Sequence, residues 1–487
     1  MGETSETLSG PVDVVDVRTG EVDGRIVMTC TVRYENDKMP PDTISTSVDG
    51  RWADLVVPGP DHLVPVLLVL AARLGDDLRI DAPIDPDWAE ACRRAHALQA
   101  SWWGWRPARL VAPAARRRRR RLWRPARARG RGHCFTCGVD SWSVYLALRD
   151  TPEAPTHLVH VDCDVHWSDA LRRARIGHVR STADRLGLPL VEVHTDIRAT
   201  IEPHTEWGRH AHGAVLAGAG QLLSGGLGTL TISPSNFWPD ATPYGSHPGL
   251  DPLWSTPSLA IRHPGADEPR HHRVFRVAAD PLAAATMQVC LQQGAETNCG
   301  RCNKCLDTLT ALVLSGRTGW EGRFVAPFDP EAIAGLKPIR PAASNRMLEL
   351  CDEIGLSADP LRQRWETVTV KDDPSIAYRY AARQPRVPVA VDGRAPTADE
   401  ALAIGRALAP HGLRVDHGTG HAEVLDRPPL DLRVDGPAVT DAAGRTIADL
   451  VAAGELPADP ARAFDPEREV VDLADWRRRR RAEVGLD

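Results

Sequence analysis

Between residues 132 and 232, short apolar runs alternate with stretches of helical periodicity. Gly132 to Phe135, Leu158 to Val161, Leu188 to Val193 and Thr229 to Ile232 read as strands. Helical patterns fall between them at Ser141 to Arg149, Ser168 to Leu186 and Ala211 to Ser224. Strands separated by helices are the mark of parallel βαβ units, so this region predicts an α/β fold with a doubly wound, mainly parallel sheet. Ligands of such a sheet sit beyond the carboxyl ends of the strands.

The flanks read differently. From about Asp13 to Leu110, short strands precede helices, with an apolar run at Leu63 to Leu70 and a helix near Pro86 to Trp103, which predicts an N-terminal accessory α+β domain over 1–110. An arginine-rich linker follows at 111–131, the α/β domain occupies 132–320, and a helical connector covers 321–365. From Glu366 the composition shifts to Pro, Asp and Ala, predicting a small C-terminal α+β domain over 366–487. There, Thr397 and Glu400 have capping-box spacing before a helix with Ala401, Ile404 and Leu408 on one face, and Asp435-Gly436 marks a turn.

Composition narrows the functional classes. The 487 residues, 42% hydrophobic, suffice for about three domains. No apolar run reaches the ~18 residues of a membrane span, and the N-terminus is polar, so a cytoplasmic protein without a membrane partner is expected. Net charge is only −6, and the only lysines are Lys38, Lys304, Lys337 and Lys371. None follows a glycine, which excludes a phosphate loop of the Walker type. The runs Arg116 to Arg121 and Arg477 to Arg481 are candidate nucleic-acid contacts, but charge runs are more often solvated linkers and tails, and that reading is preferred. Homo-oligomer formation stays open.

Ten cysteines in a reducing compartment point to metal or thiol chemistry and away from a disulfide framework. Cys290, Cys299, Cys302 and Cys305 are spaced C-x8-C-x2-C-x2-C. Four thiolates close a tetrahedral shell around zinc and leave no place for water, so the expected role is structural; an iron-sulfur cluster is the weaker alternative.

The segment Phe135-Thr136-Cys137-Gly138-Val139-Asp140-Ser141 follows a predicted strand and opens a predicted helix. Unpaired amides at a helix start, with the hydroxyls of Thr136 and Ser141, can hold phosphate oxygens without a lysine. The plainer reading is a strand-turn-helix corner whose Asp140 and Ser141 only cap a helix. The segment resembles the SGGxDS loop of the PP-loop ATP pyrophosphatases, within the adenine nucleotide alpha hydrolase-like superfamily. Thr136 stands at the first serine and Gly138 at the second glycine, while Asp140 and Ser141 match outright. Cys137 replaces the first glycine, where its side chain either crowds the phosphates or brings a thiol into the site. The cysteine spacing is similar to that of 7-cyano-7-deazaguanine synthases, which are PP-loop enzymes with a structural zinc. The resemblance covers about Gly132 to Gly316.

It implies a Rossmann-like, HUP-type core and an enzyme that takes ATP with magnesium, adenylates a small carboxylate or ring carbonyl of a purine-like or deazapurine-like base, and releases pyrophosphate. Thr136, Gly138, Val139, Asp140 and Ser141 would bind ATP, with Asp162 and Arg198 at the next two strand ends; Cys137, Asp140 and Ser141 are the catalytic candidates. Nitrogen transfer, giving an amide or nitrile and AMP, is the first expectation. Thiolation through Cys137 or Cys163 is the second, against which stands a merely packed cysteine. A non-catalytic nucleotide- or RNA-binding protein is the third. The segment Tyr244 to Thr256 has the composition of a recognition loop, so Ser246, His247 and Asp251 are substrate candidates with Arg270 and Arg273; the alternatives are a capped turn anchored by Trp254 and solvated arginines.

Overall fold

The computed structural model describes residues 11–34, 40–115, 129–164, 166–237, 243–290, 292 and 297–336, and, less continuously, positions between 347 and 457. Both long arginine runs and Thr397 lie outside the described residues.

A single ten-stranded sheet dominates. Five strands come from the first part of the chain: β1 (Pro11–Val22), β2 (Arg25–Tyr34), β3 (Asp42–Asp49), β4 (Asp77–Ile80) and β5 (Leu110–Val111). Five follow: β6 (Gly130–Cys134), β7 (His157–Asp162), β8 (Leu190–Thr195), β9 (Leu227–Thr231) and β10 (Ala260–Arg262). Their spatial order is β10-β9-β6-β7-β8-β3-β2-β1-β4-β5. The run from β10 to β8 is wholly parallel, β3 joins β8 antiparallel, and the β3-β2-β1 meander leads to the parallel β4 and β5. The sheet is therefore mixed and mostly parallel, in an α/β architecture.

The strands β1 to β5, most of them within the 1–110 segment expected as an N-terminal accessory α+β domain, extend this sheet. The β3 edge supplies the backbone partners that β8 would otherwise lack, with Thr46, Ser47 and Val48 opposite Thr195, His194 and Val193. Periodicity identifies strands but not which sheet they join, so this pairing was not visible in the sequence.

Helices cover both faces. On one lie α1 (Val64–Leu74) and α2 (Pro86–Trp103), then α3 (Val139–Leu148) and α4 (Asp169–Leu186) on the other. The short α5 (Ile197–Ile201) and α6 (His212–Leu222) return to the first face. The chain then adds α7 (Arg270–Ala279), α8 (Pro281–Thr286) and α9 (Asn303–Leu314) on the second. Successive strand residues alternate between the two cores: Val159 and Val191 pack with α1, α2 and α6, whereas Leu158 and Leu190 pack with α3, α4 and α9. At Gly218 of α6, a Cβ would meet the His62 carbonyl at 2.1 Å, so only glycine lets this helix close on the segment before α1.

The expected connector packs into the second core through Ile333, Met347, Leu350 and Trp365. Beyond it, Val387, Ile404, Leu408, Leu432, Ile447 and Leu450 belong to a core of their own, around short paired strands. Asp435 and Gly436, at φ +56°, stand where two antiparallel strands of that unit turn. Among the described residues, no helix is long and apolar enough to cross a membrane.

Candidate active site

Strands β8-β7-β6-β9-β10 place the third, second, first, fourth and fifth of the parallel set side by side, so the winding reverses between β6 and β9. A crevice opens at such a reversal, outside the carboxyl ends of the two strands. The chain leaving β6 there is the Phe135–Ser141 loop, and the chain leaving β9 is Ile232-Ser233-Pro234-Ser235-Asn236.

The loop turns through Cys137, whose φ of +58° lies in the left-handed region that glycine occupies freely. Cys137 thus holds a backbone shape that glycine adopts at less cost. Its side chain is wholly buried in the second core. Burial pushes the thiol up to about 12, despite a hydrogen bond with Thr182 and the nearby Arg323. Both forecasts for this side chain, crowding the phosphates or baring a thiol, give way to packing.

Gly138 starts α3 in extended conformation, and no side chain caps that helix. Ser141 Oγ donates to the Gly138 carbonyl at 3.0 Å, and the Thr136 amide reaches Ser141 Oγ at 3.4 Å. The Cys137 carbonyl accepts from the Gln288 amide at 2.8 Å, which ties the bend to the chain entering the cysteine cluster. Thr136 itself is exposed. Behind the bend, the buried His133 ring bonds the Ser141 carbonyl at 2.8 Å, and burial lowers its pKa to about 4, so it is neutral.

Two arginines of α7 converge on the loop. Arg273 Nη1 donates to Asp140 Oδ1 at 2.7 Å and to the Pro234 carbonyl at 2.8 Å, and Nη2 reaches the Asn236 carbonyl at 3.2 Å. One buried guanidinium therefore spans the crevice. Arg270 Nη1 lies 3.1 and 3.0 Å from the two Asp140 oxygens, and its Nε is 3.2 Å from Asp307 Oδ2 on α9. Burial pushes the Asp140 carboxyl upward, but Arg270, Arg273 and Lys304 outweigh it and hold the group below the usual carboxylate range. Asp307 Oδ1, Ser233 Oγ and Asn236 Nδ2 are buried atoms with no hydrogen-bond partner among the described residues. Orphaned polar atoms of this kind call for a ligand, an ion or water.

Other expected site residues lie elsewhere. Asp162, at the end of β7, is 5% exposed and already engaged by Arg172 at 2.6 Å and His194 at 2.8 Å. Arg198 pairs with Asp164 at 3.2 Å and Glu202 at 2.8 Å beneath Trp207, in a cluster apart from these loop contacts. Cys163, beside it, is raised to about 12, mainly by burial. Ser246 Oγ donates to Asp251 Oδ2 at 2.7 Å, His263 Nδ1 meets the same oxygen at 2.7 Å, and the His247 amide donates to Asp251 Oδ1 at 3.1 Å. All four residues are buried, and the His247 ring packs edge-on to Trp102 at 5.0 Å. The segment expected to recognise substrate is an internal turn in which Ser246, His247 and His263 are held on Asp251.

Downstream, the sulfurs of Cys290, Cys299, Cys302 and Cys305 all lie within 4.8 Å of one another. The Cys290–Cys302 and Cys299–Cys305 separations are 3.9 and 3.8 Å. A tetrahedron with zinc-sulfur bonds of ~2.3 Å has edges of about 3.8 Å, so the cluster can hold a metal ion such as zinc. Gly300, at φ +77°, makes the knuckle; a Cβ there would strike the Ala326 carbonyl at 2.3 Å.

Lys304 and Asp307 were not singled out from the sequence. Their spacing on one helix face was visible, but their approach to a loop some 165 residues earlier needs the packing of α7 between α3 and α9. Comparison with family models, curated proteins and solved structures finds no match to this chain.

Proposed function

We propose that this chain is a PP-loop ATP pyrophosphatase, an adenylating enzyme with a HUP-type core. The observation that carries the reading is the convergence of Arg270 and Arg273 on the uncapped α3 bend at the winding reversal. Arg270, Arg273 and Lys304 all act on Asp140, and Arg270 also pairs with Asp307 at 3.2 Å, so the loop stands beside concentrated positive charge. The left-handed Cys137 supports the same reading, because it preserves the bend on which the resemblance rests.

In the proposed reaction, an oxygen of a carboxylate or ring carbonyl attacks the α-phosphorus of ATP, and the bond from that phosphorus to the bridging oxygen breaks. Pyrophosphate departs toward the loop amides, Ser141 and the two guanidiniums, which meet negative charge as it develops. Magnesium, accompanying the triphosphate, supplies Lewis-acid polarisation of the phosphoryl oxygens. Asp307, whose Oδ1 is unpartnered among the described residues, would be the carboxylate nearest to hand to hold it, since both oxygens of Asp140 are engaged by Arg270 and Arg273. Ammonia then adds to the activated carbon, AMP leaves with the C–O bonding pair, and the surplus proton passes to solvent.

Nitrogen is favoured over sulfur by burial. The thiols of Cys137 and Cys163 are both raised to about 12, whereas a sulfur carrier needs an accessible thiolate near neutral pH. The substrate class is a small planar acid or cyclic amide of purine or deazapurine type.

Incubation of the metal-loaded protein with MgATP, a panel of such acids, and ammonium or sulfide tests the reading. AMP and pyrophosphate appearing in equal amounts with an amide or nitrile supports it; ADP with phosphate, or no cleavage with any acid, contradicts it.

A further inference from the structure

Residues 287–290 leave α8 and, among the described residues, pair with no strand, so their backbone groups need other partners. Asn298 supplies them. Its Oδ1 accepts from the Val289 amide at 2.7 Å and the Cys290 amide at 3.1 Å, and its Nδ2 donates to the Met287 carbonyl at 3.1 Å. An amide side chain suits this set because one end accepts and the other donates, whereas a carboxylate could only accept. Asn298 is wholly buried and directly precedes Cys299 of the cluster. Its own backbone is fixed as well, the amide donating to the Arg323 carbonyl at 3.2 Å and the carbonyl accepting from the Val325 amide at 2.8 Å.

Two amides of the segment turn elsewhere. That of Met287 closes α8 on the Ala283 carbonyl at 2.9 Å, and that of Gln288 crosses to the Cys137 carbonyl at 2.8 Å. A Cβ added to Gly138 would stand 3.8 Å from the Gln288 carbonyl, so the segment runs alongside the bend. Arg323 grips the same segment, with Nε donating to the Met287 carbonyl at 3.2 Å and Nη2 to Gln288 Oε1 at 2.8 Å. A residue other than glycine held at positive φ, as Cys137 is, persists only where its surroundings fix it.

We propose that Asn298 is a positioning residue for the bend: by clamping residues 287–290 it aims the Gln288 amide at Cys137 and holds the left-handed turn from which α3 starts. It acts on the bend through Gln288. The consequence for nucleotide binding rests on the reading that the bend takes a triphosphate; the consequence for the conformation of the bend does not.

The test uses the full-length, zinc-loaded chain and residue-resolved hydrogen exchange, comparing wild type, Asn298→Ala and Arg323→Met, with α1 as the internal reference. The Gln288 amide reads the clamp itself, and the Trp142 amide, which donates to the Gly138 carbonyl at 2.9 Å, reads the bend. Asn298→Ala is expected to speed exchange about tenfold at both, relative to α1. Arg323→Met is expected to do so about threefold with zinc content unchanged, because Arg323 grips the segment ahead of its first cluster cysteine; it carries the test alone should Asn298→Ala not fold. The Kd of magnesium α,β-methylene-ATP, an analogue that cannot release pyrophosphate, should rise about tenfold in Asn298→Ala. Exchange that quickens at Gln288 but not at Trp142, or equally throughout α1, overturns the proposal, as does an unchanged Kd. Wild type that binds no analogue overturns the loop reading instead, and exchange at Trp142 then decides the clamp by itself.

Discussion

Arg273 and Asp140, separated by 133 positions in sequence, meet at 2.7 Å, and the same guanidinium nitrogen also bonds the Pro234 carbonyl. The pair closes the crevice between β6 and β9. Arg273 is 1% exposed and also donates to the Glu268 and Asn236 carbonyls, so its loss strands several buried acceptors together. Arg273→Met is expected to cost about 3 kcal/mol of unfolding free energy in urea denaturation. Arg273→Lys should recover little of it, because an ammonium cannot span the same fork of acceptors. A loss below ~0.5 kcal/mol in either variant would remove the bridging role.

Cys137 offers a second test, since its conformation and its thiol make opposite demands. Cys137→Gly relieves a strained backbone but empties a packed position, so stability should change little, whereas Cys137→Val should lose more than about 1 kcal/mol because a β-branched residue resists positive φ. Cys137→Ala should keep AMP formation within a few-fold of wild type. Turnover abolished in a folded Cys137→Ala would revive the sulfur-carrier reading.

The cysteine cluster should bind one zinc per chain, measurable by elemental analysis, and give a colourless protein. Cys299→Ser should lower metal content and the melting temperature together, because the cluster holds the start of α9 in the second core. A brown protein with visible absorption near ~400 nm would instead indicate iron-sulfur ligation.

Stability should fall as pH drops below neutrality. Burial lowers the pKa of His62, His96 and His133 to about 4 and that of His247 to about 3. Each stays neutral in the folded chain but gains a proton near 6.5 when unfolded. The unfolded state therefore binds more protons between roughly pH 6.5 and 4, and each such histidine removes about 1 kcal/mol per pH unit in that window. His194, raised by Asp162 and Glu192, works in the other direction. Urea midpoints at pH 7.5, 6.5 and 5.5 check this; a flat or rising series contradicts it.

Much of the parallel core was legible because buried parallel strands read as compact apolar runs. The four expected strands match β6 to β9 within about two residues at each end. The bend at Thr136 to Ser141 and the cysteine spacing were legible for the same local reason. What escaped depends on contacts between distant segments. The β3 edge pairing with β8 has no local signature, and neither does the inward turn of Ser246 and His247 onto Asp251. Asp162 looked like a ligand group at a strand end until Arg172 and His194 took up its oxygen. Arg270 and Arg273 stood as substrate candidates against a solvated surface reading, and only the packing of α7 against α3 and α9 brings them to the loop.

The central claim is that triphosphate oxygens rest on the amides of residues 137–141, between the Arg270 and Arg273 guanidiniums. A crystal structure with magnesium α,β-methylene-ATP tests it most directly. The account predicts phosphate density within hydrogen-bonding distance of those amides and of both guanidiniums. Density seated at any other place on the molecule, or a bend left bare at saturating nucleotide, would contradict it.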